Sequence, residues 1–256
     1  MKDSVAHIGV VGVGEMGRRH ALNLARGVPN ATECGAGRIF ADARELIASP
    51  DVTHADLTLA CIDVGKPILF RGYHYNLTDG ITRSAVDLIT HSAVHDIHSA
   101  HWLMERETAR VYVQSVPAEP HQTTFSRLLV IHLSFRGGGL GIIQLNADSG
   151  YGYEVYVEIT GETGQATSLS FTAPHVRRAG VLSQAIEPDW LDRFDKAYVN
   201  EVSSWVDGIV TGTLEGPTAW DGHTSLVVAD ACIHSIATGQ PENVPLEEKP
   251  AFYHGL

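Results

Sequence analysis

The stretch SVAHIGVVGVGEMGRRHALNLARG, residues 4–27, constrains the fold more than any other part of the chain. Val5 to Val11 is rich in β-branched residues and bounded by glycine, as a buried parallel strand should be. Gly12, Gly14 and Gly17 then give G-x-G-x-x-G, and Met16 to Arg26 follows with helical spacing. Gly12 permits the tight turn, Gly14 lets the backbone approach a pyrophosphate, and Gly17 lets the helix pack against the strand. The helix N-terminus, with its free N–H groups, faces the phosphates. Gly12, Gly14, Glu15, Met16 and Gly17 are therefore the candidate residues for binding a dinucleotide cofactor.

Such a motif expects a second strand about 20 positions later, ending in an acidic residue that holds the ribose. That stretch here reads GVPNATECGAGRIFADARELIASPDV, with no strand-like apolar run before the helix ADARELIAS. The next segment, His54 to Val64, again has helical spacing. One parallel strand followed by three helices gives those helices nothing to pack on. Residues 1–67 thus read as a dinucleotide-binding unit that is incomplete.

From Ile68 the pattern changes. ILFRGYHY, ARVYVQSV, RLLVIHLSF, LGIIQLNA, YEVYVEIT and ATSLSF read as strands, with RGGG and GETG as glycine turns. Local hairpins favour a mixed, largely antiparallel sheet. Helices are predicted from about Trp190 to Val210 and from Asp221 to Thr238, and a proline-rich tail is predicted to lie extended on the surface. The fold class is α/β: a Rossmann-like domain over 1–67, truncated, and an α/β domain with a mixed, largely antiparallel sheet over 68–256.

A second region demands a chemical reading. HSAVHDIHSAHWL, residues 91–103, holds four histidines. On a 3.6-residue helix, Val86, Ile89, Ala93, Ile97, Ala100 and Met104 share one face. His91, His95 and His98 share the opposite face, and His101 lies to one side. A metal site would need further converging ligands, and no HExxH glutamate or distant Cys/His cluster supplies them. A solvated polar face accounts for His98 and His101.

Composition narrows the partners. The formal net charge is −12, from 18 Lys and Arg against 30 Asp and Glu, and a polyanion of this kind repels nucleic acid and anionic membrane. Three scattered cysteines form no disulfide or CxxC framework, which points to a reducing cytoplasm.

In these segments the chain resembles the Gfo/Idh/MocA family of NAD(P)-dependent oxidoreductases, on its inositol 2-dehydrogenase branch. GVVGVGEMGRRHALNLA resembles the first βα unit. FADARELIASPDV and THADLTLACIDVGKP resemble later Rossmann helices. ILFRGYHYN, SAVHDIHSAHWL, YGYEVYVEITGETG and DWLDRFDKAYVNEVSSWVDGIVTG resemble the substrate domain in order. Against that pattern three blocks are absent, near Ala31–Thr32, at Val52–Thr53 and at Pro67–Ile68. The last would carry the Glu-Lys-Pro motif with its lysine.

The resemblance implies hydride transfer from a cyclic polyol or sugar hydroxyl to the nicotinamide, in a homo-oligomer, dimer or tetramer. It implies His95 as the active-site histidine, with His91 at the preceding Asp/Asn position. A base near neutral pKa suits removal of a hydroxyl proton. His74, Asn76, Ser92, Tyr151 and Tyr153 match polyol-facing positions, where donors and acceptors must both be offered. At His98 and His101 the family shows Asp and Arg instead. With the lysine block absent, a second outcome stays open: a non-catalytic remnant that folds and oligomerises through its sheet domain.

Overall fold

The computed structural model of the chain describes residues 6–8, 20, 22–24, 31–33, 64–77, 80–119, 122–168, 176–183, 185–186, 190–212 and 216–253. Two compact units emerge. One comprises Met1–Pro50, Trp190–Thr218 and Pro250–Leu256; the other comprises Asp51–Asp189 and Ala219–Lys249.

In the first unit, β1 (Ala6–Ile8) pairs in parallel with β2 (Ala31–Glu33), placing Ala6 opposite Ala31 and Ile8 opposite Glu33. This corrects the expectation that the second strand is missing near Ala31–Thr32. The strand is present, but it is three residues long and only one of them is apolar, so it has no alternation to read. It ends on Glu33, the acidic residue type that a dinucleotide fold places there. The same unit holds the helix Asp195–Thr211, whose Val202 and Val206 are buried. Tyr198 on this helix meets the rings of His20 and Trp190 edge-on, each at 6.1 Å.

The second unit is built on a seven-stranded mixed sheet. Its strands are β3 (Pro67–Leu77), β4 (Thr108–Glu119), β5 (Gln122–Phe135), β6 (Leu140–Ser149), β7 (Glu154–Gly161), β8 (Gln165–Thr167) and β11 (Glu242–Asn243). Between β8 and β11 in the chain, β9 (Val176–Arg178) and β10 (Val181–Ser183) form a separate hairpin. The order across the sheet is β11-β4-β5-β6-β3-β7-β8. β3 runs parallel to β6 and antiparallel to β7; the remaining neighbours are antiparallel. The six predicted strands are β3 to β8, in order, and β11 is the unpredicted seventh. The tail departs from its expectation at its start: Glu242 pairs with Val111 and Val244 is buried, so the chain closes the sheet edge there.

Alternation decides the two faces. Phe70, Ile143, Leu145, Leu129, Ile131 and Ile159 point to one face and are fully buried under helices. Burying each such side chain contributes about 1.5–3 kcal/mol. The covering helices are α1 (Ala85–Leu88), α2 (Val94–Met104) and α5 (Ala219–Thr238), with α3 (Trp190–Arg193) and α4 (Asp195–Thr211) belonging to the first unit. α1 opens on a capping box: the Asp87 N–H donates to Ser84 Oγ (3.1 Å) and the Ser84 N–H donates to Asp87 Oδ2 (3.0 Å).

Between α1 and α2 lies a π-helical turn, Ile89–Ala93, in which the Val94 N–H reaches back to the Ile89 carbonyl. It alters the predicted phase. A straight α-helix puts Val86 in the middle of the apolar stripe and Leu88 on the far side. Instead Val86 is 46% exposed and Leu88 is fully buried. The extra residue in the turn rotates everything before it by about 100°. After the turn, Ile97, Ala100 and Met104 are buried as the spacing predicts. Among the described residues, no helix is long and apolar enough to cross a membrane.

Candidate active site

Among the described residues, a buried side-chain ion pair lies where α2 crosses β3. His74 points to the helical face of β3 and is 6% exposed, and Asp96 on α2 is 3% exposed. His74 Nδ1 and Asp96 Oδ2 are 2.9 Å apart. A carboxylate accepts only, so the ring nitrogen is the donor. Gly72, two residues earlier on the same face, leaves room for the Phe70 ring and the Asp96 carboxylate. A Cβ there would stand 3.1 Å from the Phe70 ring and 3.5 Å from Asp96 Oδ1. Removing one partner of such a buried pair typically costs about 3–5 kcal/mol, because the other is left uncompensated.

Asp96 was not among the sequence candidates, although its position carried a signal. It stands three residues after Ala93, four before Ala100 and seven before Leu103, all buried. A carboxylate inside an apolar stripe is tolerated only with a partner.

His95, the next residue back, leaves the apolar face. Its outer edge is exposed, yet neighbouring protein crowds the ring. That desolvation holds its pKa below the ordinary histidine value; charge on His74 and His98 adds to the lowering, and Asp96 opposes it. His95 is thus a neutral imidazole at pH 7, in the electrostatic field of the His74–Asp96 pair.

The other sequence candidates divide. Tyr153 is buried, and its ring meets that of His74 edge-on at 6.0 Å and 86°. Asn76 follows His74 by two residues on β3, where the register against β6 slips between Tyr75 and Leu77. Such irregularities re-aim side chains and recur beside active sites. Ser92 sits half-buried in the π turn.

Two candidates turn elsewhere. His91 is exposed, and its Nδ1–H donates to the Asp87 carbonyl at 3.0 Å. Tyr151 is 52% exposed and donates to Glu154 Oε2 at 2.8 Å. Burial and the Glu154 carboxylate push its phenol pKa up. Its ring meets that of Tyr75 at 6.4 Å. Between the two tyrosines Gly152 takes φ 147, a conformation open to glycine, and this lets Tyr151 and Tyr153 part. Gly12, Gly14, Glu15, Met16 and Gly17 lie outside the described residues.

His101 is not the solvated residue expected. Its Nε2 lies 2.9 Å from Thr108 Oγ1, and burial lowers its pKa to about 4. It lies one turn after the buried Ile97 on the helix, partly covered rather than facing water. Among the described residues no group of three or more His, Cys, Asp or Glu side chains could hold a metal ion.

An α/β chain with a parallel strand pair at its start and a mixed sheet backed by a histidine-bearing helix has the makings of a two-part oxidoreductase. Residues 87–246 match the C-terminal alpha/beta domain of the Gfo/Idh/MocA oxidoreductase family. The inositol 2-dehydrogenase of Rubrobacter xylanophilus is 35% identical, covering 96% of this chain and 95% of that protein. That alignment runs over 332 positions against a chain of 256 residues, so the relative carries stretches with no counterpart here. The inositol 2-dehydrogenase of Klebsiella pneumoniae is 34% identical over 75% of this chain and 57% of its own length. The fold matches the crystal structure of myo-inositol dehydrogenase from Lactobacillus casei in complex with NAD(H) and myo-inositol. The TM-score is 0.81 at 21% identity, covering 97% of this chain and 99% of that one. The chain belongs to the Gfo/Idh/MocA oxidoreductase family.

Proposed function

We propose that this chain is an NAD(P)-dependent oxidoreductase that takes hydride from a hydroxyl-bearing carbon of a cyclic polyol or related sugar, as its inositol-dehydrogenase relatives are named for doing. The observation that carries the reading is the cluster of His74, His95, Asp96 and Tyr153 on the helical side of the sheet, in a chain that opens on a dinucleotide-type glycine turn. The pairing of β1 with β2 fits the cofactor, because it puts Glu33 at the end of the second strand. Gly12, Gly14 and Gly17, with Glu15 and Met16, would hold the pyrophosphate, and Glu33 would meet the ribose. An acid there favours NAD over NADP, since a 2′-phosphate would meet like charge. The bound nicotinamide supplies a hydride acceptor.

The chain's own groups handle the rest. His95, neutral at pH 7 and with its pKa lowered, accepts the hydroxyl proton. His74, Asn76, Ser92 and Tyr153 orient the ring hydroxyls. Residues 1–67 serve the cofactor and 68–256 serve substrate and assembly, with helix α4 joining the first unit. The work takes place in the cytoplasm, in a homo-oligomer that meets through the open sheet face. NAD reduction on adding myo-inositol tests the reading, with NADP in a parallel arm; absence of turnover with myo-inositol, its stereoisomers and simple hexoses would overturn it.

The second reading, a non-catalytic remnant, is favoured by one feature. β3 begins at Pro67, directly after Gly65 and Lys66, so no segment bearing the family's Glu-Lys-Pro motif intervenes. Purified protein that assembles but never reduces NAD would establish it.

A further inference from the structure

We propose that Asp96 is a positioning residue that keeps the proton on Nδ1 of His74, leaving Nε2 as the one ring nitrogen that exchanges a proton or hydrogen-bonds with a substrate hydroxyl. The inference rests on the polyol reading above, and it concerns a residue that neither the motifs nor the resemblance singled out.

Three observations carry it. The Nδ1–Oδ2 distance is 2.9 Å with both side chains buried, so the bond is screened from competing water. It is also the ring's only hydrogen bond among the described residues, so Nε2 is not committed to protein. Finally, two different elements fix the pair. His74 is held in the β3 ladder opposite Leu145 and Val155, while Asp96 is held on α2 between buried Ala93 and Ala100. The ring cannot turn over without breaking a buried charge-assisted bond. The side of the imidazole offered to a ligand is therefore set by the helix, although the imidazole itself grows from the sheet. A carboxylate in this role fixes the direction in which Nε2 is presented, as carboxylates do behind ligand-binding histidines generally.

Nitrogen-15 NMR of histidine-labelled protein tests the assignment directly. His74 is identified by the signal lost in His74→Gln. Across a pH titration, Nδ1 should stay protonated while Nε2 alone moves between its protonated and lone-pair shifts. In Asp96→Asn the amide NH₂ can donate to Nδ1, and the neutral ring should switch to the Nε2–H form. Asp96→Glu should restore the Nδ1–H form at least in part. Titration at Nδ1 in the wild type would overturn the proposal whether or not the Asp96 variants fold. The second arm is calorimetric binding of myo-inositol and of NAD. Asp96→Asn should weaken inositol by about tenfold or more and leave NAD unchanged. A switched tautomer with unchanged inositol affinity would overturn the presenting role. Wild-type protein with the Nδ1 proton in place but no affinity for inositol would instead overturn the polyol reading, and the tautomer assignment would stand.

Discussion

Nε2 of His101 lies 2.9 Å from the Thr108 hydroxyl and 3.4 Å from the Thr108 N–H, which ties the end of α2 to the start of β4. Both groups can donate to it, so Nε2 is an acceptor and the ring is neutral. Protonation would place N–H against N–H in a buried site.

That arrangement predicts an acid-sensitive fold. Burial lowers the His101 pKa to about 4, with His98 adding to the lowering and Asp221 opposing it. The folded value lies below the unfolded one, so the stabilisation is complete above about pH 6.5 and is lost as pH falls toward 4. Between pH 7 and pH 5 this group should cost about 2 kcal/mol. Urea melts at the two pH values should show that loss in the wild type and a smaller one in His101→Gln.

The segment just before β3 is predicted to be intolerant of crowding. A Cβ on Gly161 would collide with the Val64 carbonyl, whose oxygen accepts from the Thr163 N–H at 3.0 Å. Backbone meets backbone there, so no rotamer change relieves it. Gly161→Ala should destabilise by about 2 kcal/mol or more, as overpacking does. Gly150→Ala, with open space around it, should fall within about 0.5 kcal/mol of wild type in the same denaturation experiment.

His95→Ala should lower myo-inositol turnover by roughly 100-fold or more, the usual weight of an acid–base group. NAD affinity should hold, because the proposed pyrophosphate site is the glycine turn at Gly12, Gly14 and Gly17. The lowered pKa of His95 adds a signature: a base must be neutral to accept a proton, so the acid limb of kcat/KM should fall below pH 6.5, the ordinary imidazole value. Wild-type turnover that survives the substitution would remove His95 from the mechanism.

The uncovered face of the sheet gives a test of assembly. Tyr73 stacks on Tyr156 at 4.3 Å and 15°, beside the Arg71–Glu158 pair at 3.1 Å, and Val116 and Leu140 are exposed on the same face. Ile142→Asp, a charge set on this face, should shift the sedimentation coefficient toward that of a monomer. Unchanged sedimentation would place the contact elsewhere.

The seven-stranded sheet was legible in sequence because most of its strands are long, rich in β-branched and apolar residues and divided by glycine turns; burial then alternates, with Leu129, Ile131 and Leu133 inward of Leu128, Val130 and His132. β2 was not, because three residues with one apolar side chain carry no period. Asp96 was overlooked because four histidines drew the chemistry to the polar face, whereas the carboxylate sits on the apolar one. His101 departs from its expectation for a related reason: helical phase puts it beside Ile97, but residue type alone does not show that Thr108 of β4 covers its imidazole. Tyr151 and Tyr153 look equivalent in sequence, and only the backbone at Gly152 separates them.

The π turn at Ile89–Ala93 also bears on how this chain can vary. Leu88 seats the helix before the turn, while Ile97, Ala100 and Met104 seat it afterwards, each by its own contacts with the core. The turn absorbs the mismatch between the two halves. Loss of one residue within it would restore a regular helix and could be taken up by swinging the earlier half alone, carrying Leu88 outward and Val86 inward. His95 and Asp96 would keep their bearings. The wide turn thus acts as a slack joint: changes in chain length upstream are spent on the first half of the helix and do not reach the imidazole and carboxylate beyond it.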